Sequence, residues 1–179
     1  MGTFWAVQYL LQPVLIFGVI FHFVMGFVLE IKNNKARKIK YAKNNGGANS
    51  SWMSRNMIWS GGFILIFIVI HMLDFWVHEM NVKYVSGDMT GLINSEDPSS
   101  GLRYYEELVV KFQPTWRVAL YCVGFVFLSL HLLHGLGSAF QSVGTNNKYT
   151  KALNGISNIY SIGIPLGFIF IAVFHHLSH

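Results

Sequence analysis

Histidine is the residue type whose placement in this chain suggests chemistry. The stretch LYCVGFVFLSLHLLHGLGSAFQSVG, residues 120–144, buries His131 and His134 in an oily run of helix length. His22 lies in a second such run and His71 in a third. An imidazole in apolar surroundings is costly unless its ring nitrogens are engaged. Counting at about 1.5 Å per residue, His22 lies nine residues from Ile31 and His131 nine from Phe140, each roughly 14 Å deep. His71, fourteen residues from Met57, is roughly 21 Å from the same side. Two imidazoles at one level on different helices suit the axial positions of one haem iron, with His71 at a second level. Filling both axial positions suits electron transfer, because no substrate reaches the metal. The rival account is that each imidazole hydrogen-bonds a neighbouring helix. His134, three residues beyond His131 and on nearly the same face, is either an alternative ligand or a partner for a haem propionate.

The elements that must carry these residues are four apolar runs of about 20 residues each, long enough to cross a bilayer. They cover about 9–31, 57–78, 115–140 and 156–175. Each is apolar all round, so the expected fold is all-α: one transmembrane helical bundle over 1–179 with four spans. Pro13 sits where a helix tolerates it, and Pro165 is expected to kink the fourth span. Trp5, Tyr9, Trp59, Trp76, Trp116, Tyr121 and Tyr160 fall near span ends, as an interfacial aromatic belt would. His78, His175, His176 and His179 lie near helix ends, where snorkelling accounts for them.

Composition agrees. Of 179 residues, 53% are apolar and 12% charged, and mean hydropathy is +0.42. Soluble domains carry about 25% charged residues. The net charge of +5 does not indicate a nucleic-acid partner, because it concentrates in one connection. Residues 32–55 hold Lys32, Lys35, Arg37, Lys38, Lys40, Lys43 and Arg55 without an acid, and are expected to face the cytoplasm. Residues 79–114 hold six acids against three basic residues and are expected outside, with a short surface helix over Leu102–Phe112. The single cysteine, Cys122, excludes a disulfide within the chain. Glycines flank the deep histidines (Gly18, Gly26, Gly61, Gly62, Gly124, Gly135, Gly137), giving close approach either to a porphyrin or to a neighbouring helix. Arg55 and Lys32 at the inner rim, and Arg117 at the outer one, are candidate propionate partners or interfacial anchors.

These residues resemble the di-haem cytochrome b membrane anchor of succinate dehydrogenase and fumarate reductase, the single-subunit five-helix type, in a Bacteroidetes-like branch. FHFVMGFVLEIKNNKAR is similar to that family's second span, which implies His22 as an inner haem ligand. ANSSWMSRNM followed by IHMLDFW is similar to the third, which implies His71 as an outer ligand. SLHLLHGLGSAFQSVGTNNK is similar to the fourth, where the ligand precedes a glycine by four residues, selecting His131 over His134. The family's first span, source of the fourth haem histidine, has no counterpart, as if the sequence began in the loop after it. Some family members carry a proton-conducting glutamate two residues before the inner ligand. Ser129 stands there, so that route is not expected.

The resemblance implies a non-catalytic subunit in a bacterial inner membrane. It would bind a flavoprotein and an iron–sulfur subunit at its cytoplasmic face. It would pass electrons through haem b to or from menaquinone, with Asp74 either a proton handler for the quinone or a solvated interfacial acid. The alternatives are a stand-alone di-haem cytochrome b and a haem-free membrane scaffold or transporter.

Overall fold

The computed structural model describes residues 4–36, 56–144 and 149–178. It is 84% helical, and no strand occurs among the described residues. Four helices are long and apolar enough to cross a membrane: α1 (Val7–Ala36), α2 (Met57–Tyr84), α4 (Thr115–Ser142) and α5 (Thr150–Ser178). A shorter α3 (Arg103–Phe112) precedes α4. By the length and composition of these helices the chain is a multi-pass membrane protein.

Each long helix outruns its apolar stretch. At the end of α1, the Asn34 amide donates to Glu30 Oε1 at 2.9 Å, one turn back. That bond keeps polar residues helical beyond Ile31. Helix length therefore exceeds the thickness of hydrocarbon that the sequence pattern marks. Two segments are widened by one residue per turn: Val7–Leu11 in α1 and Met72–Val77 in α2. The first ends two residues before Pro13, whose ring would clash with the carbonyl four residues back in a regular helix. There the Gln12 N–H bonds Val7 O, five residues back. The second begins directly after His71 and carries buried Asp74. Pro165 does not end α5, which is continuous from Thr150 to Ser178.

The described residues form two compact units. One holds α1 and Val69–Tyr105. Its α1 buries no residue, and Tyr84 Oη donates to Gln8 Oε1 at 3.1 Å to join the end of α2 to the start of α1. Beyond Tyr84 the connection is built of Asx turns, with Thr90 and Ser99 capping Asp88 and Asp97, and one antiparallel bridge, Leu92 to Leu102. Gly91 has a φ of +71°, and a Cβ there would lie 2.9 Å from the Tyr104 ring, so only glycine fits.

The other unit holds α2 up to Ile68 and everything from Glu106 onward. Its core is aromatic. Phe67 meets Tyr121 and Phe125 edge-on, each with ring centroids 5.2 Å apart, and Phe112 meets Tyr121 at 5.1 Å. Tyr121 is only 1% exposed, so it belongs to this core and not to an interfacial belt. Trp5, Tyr9, Trp59, Trp116 and Tyr160 remain exposed. α5 lies antiparallel against α4 through a stripe of Ser157, Ser161, Pro165 and Ala172, with Phe168 stacked on Phe125 at 5.3 Å. His176 is half-buried, with both ring nitrogens near protein partners. Its Nδ1 donates to the Phe112 carbonyl at 2.9 Å, and its Nε2 lies 3.3 Å from Thr115 Oγ1.

Candidate functional site

His131 sits in a seam between the first half of α2 and α4. The seam climbs about one turn at a time: Phe67 over Gly124, Phe63 stacked on Phe127 at 4.6 Å, Ser60 on His131, Met57 over Gly135. Residues 57, 60, 63 and 67 on one helix and 124, 127, 131 and 135 on the other are spaced three or four apart. That spacing is why each set shares a face. The His131 ring is half-buried. Its Nδ1 lies 3.3 Å from Ser60 Oγ, which also donates to the Met57 carbonyl at 3.0 Å. A Cβ placed on Gly61 would be 3.7 Å from His131 Cε1, so the ring edge lies close to bare backbone.

His134 is half-buried too, but its bond stays on its own helix. Its Nε2 lies 3.3 Å from Ser138 Oγ, one turn on. Ser142 in turn donates to the Ser138 carbonyl at 2.9 Å. The two histidines of this stretch are thus engaged through different nitrogens, His131 through Nδ1 and His134 through Nε2.

The remaining candidates lie elsewhere. His22 is exposed midway along α1, with the Phe23 ring edge-on at 6.1 Å. His71 is exposed, with the Phe75 ring tilted at 5.2 Å. Both belong to the unit of α1, whereas His131 and His134 belong to the unit of α4. Arg55 falls outside the described residues, as does most of the 32–55 connection. Arg117 lays its guanidinium on the Trp116 ring, 4.9 Å from the centroid. Asp74 is buried at 9% exposure, so it is not a solvated interfacial carboxylate. Among the described residues, no group of three or more His, Cys, Asp or Glu side chains is placed to hold a metal ion. A haem needs only two axial side chains.

One polar cluster was not expected from the sequence. Near the end of α2, Glu79 pairs with Lys83 at 2.9 Å and with Arg103 at 3.0 Å, and accepts a hydrogen bond from Tyr104 at 2.8 Å. Arg103 also reaches Asp88 at 2.7 Å. Two acids and two bases balance, so the cluster is neutral and pins the 85–102 connection to the helix. Thr90 holds the Asp88 carboxyl below the usual carboxylate range, through its hydroxyl and its backbone N–H, and Arg103 adds to this. Burial, helped by its bond to Glu79, pushes the Tyr104 phenol up. The local signal for this cluster was the i, i+4 pair Glu79–Lys83. Nothing local linked it to Arg103. Ser60 was missed for the same reason, since its partner is 71 residues away.

Comparison with protein-family models, with curated proteins and with solved structures gave no match to this chain.

Proposed function

We propose that this chain is the membrane anchor and electron conduit of a succinate dehydrogenase or fumarate reductase complex, of the di-haem cytochrome b type. In this reading His22 and His131 hold an inner haem b, which supplies a one-electron carrier inside the membrane. His71 serves an outer haem. A flavoprotein and an iron–sulfur subunit dock on the cytoplasmic side, where the basic connection 32–55 lies, and menaquinone is the membrane substrate of the bacterial inner membrane. The chain itself anchors, orients ligands and excludes water.

The observation that carries the reading is the setting of His131. It is a half-buried imidazole in a helix apolar enough to cross a membrane, with its ring edge beside a glycine; its bond to Ser60 is common to this reading and to plain helix packing. The chemistry of the donors fits: a neutral imidazole keeps one lone-pair nitrogen for iron, and Gly61 leaves room beside the ring. His134 is disfavoured because Nε2 is engaged by Ser138. The companion His22 lies midway along α1, a helix apolar enough to cross a membrane.

The test is a reduced-minus-oxidised optical spectrum of the complex purified from membranes. A low-spin b-type signal with flavin and iron–sulfur subunits co-purifying is expected. His22→Ala and His131→Ala each abolish the inner haem, whereas His134→Ala retains it. Loss of the signal in the His134 variant alone overturns the ligand assignment, and a wild-type chain without any b-type signal overturns the function.

A further inference from the structure

The Ser60–His131 contact constrains where the imidazole proton sits. A serine hydroxyl has one hydrogen to donate. Ser60 Oγ lies 3.0 Å from the Met57 carbonyl oxygen, which only accepts; this is the shorter of its two contacts, and the hydroxyl hydrogen is assigned to it. Toward His131 Nδ1, at 3.3 Å, Ser60 Oγ is left as an acceptor. On that assignment the proton between them belongs to Nδ1. In the neutral ring this places the lone pair on Nε2. The same hydroxyl, polarised by its own bond to a carbonyl, is a better acceptor for it. Gly61, next in sequence, brings the α2 backbone to the ring edge, so the imidazole rests between a hydroxyl and a glycine of one helical turn.

We propose that Ser60 is the positioning residue for His131. It fixes the Nδ1–H tautomer and so makes Nε2 the ligand nitrogen. This rests on the reading of His131 as an axial haem ligand. An acceptor on the distal N–H raises ligand basicity, which favours the oxidised metal and lowers the reduction potential. Ser60 thereby holds the potential of the haem below the value an unsupported imidazole would give. Threonine at position 60 preserves the hydroxyl, whereas alanine removes it.

The experiment uses the full chain with its histidines labelled with 15N, produced with haemin supplied, and compares wild type, Ser60→Ala and Ser60→Thr. Ring nitrogen shifts of His131 in the haem-free wild-type chain report the tautomer directly and need no variant. Potentiometric titration and low-temperature EPR of the low-spin signal report the haem. The expected results are an Nδ1–H tautomer in the wild type and an upward shift of the midpoint potential in Ser60→Ala, with an altered g-anisotropy. Ser60→Thr restores the wild-type values. An Nε2–H tautomer in the wild type overturns the proposal, as does a Ser60→Ala chain whose potential and EPR spectrum are unchanged at full haem content. A wild type with the Nδ1–H tautomer but no b-type haem supports the Ser60 bond and overturns the haem reading, so the two failures are distinguishable.

Discussion

Gly124 and Gly61 lie on facing helices of one seam, yet their replacement has opposite consequences. A methyl on Gly124 would meet the Phe67 ring, with Cγ at 2.7 Å and Cε2 at 2.9 Å. The ring cannot easily move, because Tyr121 and Phe125 pack against it. Gly124→Ala is therefore an overpacking change of about 1–3 kcal/mol. It is expected to lower the thermal midpoint of the detergent-solubilised protein. A methyl on Gly61 meets His131 Cε1 at 3.7 Å, an ordinary contact. Alanine also gains up to about 1 kcal/mol of helix propensity over glycine. Gly61→Ala is expected to leave the midpoint unchanged or slightly raised, measured in the same melt. Equal losses in both would contradict the seam as drawn.

Among the elements, the connection after α2 has its own lock. Arg103, with a side chain 14% exposed, spans Glu79 and Asp88, and a substitution there removes a charge-assisted bond from each acid. Arg103→Ala is expected to favour opening of residues 85–102 by about tenfold or more, because both acids lose a charge-assisted partner. Limited proteolysis of the connection reads this, and Arg103→Lys recovers only part of it, since one ammonium cannot fork between two carboxylates. The lock also depends on pH. The Asp88 carboxyl lies lower in the folded chain than in the unfolded one, owing first to Thr90 and then to Arg103. Its contribution is complete above the ordinary carboxylate value of about 3.9 and is lost as pH falls through the depressed one. Asp97, held down by Ser99, behaves in the same sense. Amide exchange in the connection is expected to stay protected from neutral pH down to the ordinary carboxylate range. It loses protection only below that range. Loss of protection already near neutral pH would contradict the lock.

At the scale of the whole molecule, four apolar helices leave large side chains exposed around their circumference, among them Phe17, Phe21, Ile66, Ile159 and Phe170. Lipid covers such surface at no cost in unsatisfied backbone, since every span is helical. The charge asymmetry of the connections then orients the chain in the proposed reading: basic 32–55 inside, acidic 79–114 outside. Cys122 is the single native cysteine, so Cys122→Ser gives a background for labelling. In intact cells, an impermeant maleimide is expected to label Ser99→Cys, and to label Asn34→Cys only after permeabilisation. The reverse pattern would invert the topology and remove the proposed cytoplasmic docking face.

The sequence by itself determined that this chain is helical, where its membrane-length helices run, and that α3 precedes α4. Unbroken apolar length and proline position are local properties, readable one segment at a time. It also singled out His131, because a polar ring in an oily run stands out without reference to any partner. The tertiary structure alone decided what touches that ring. Whether Ser60 meets His131, Phe67 covers Gly124 or His176 reaches the Phe112 carbonyl depends on how two helices are rotated and crossed. One residue of register turns a helix face by about 100°, enough to bring a different side chain into the seam. Tyr121 illustrates the limit: its place in the sequence suits a membrane interface, and only the packing of Phe67 and Phe112 makes it core.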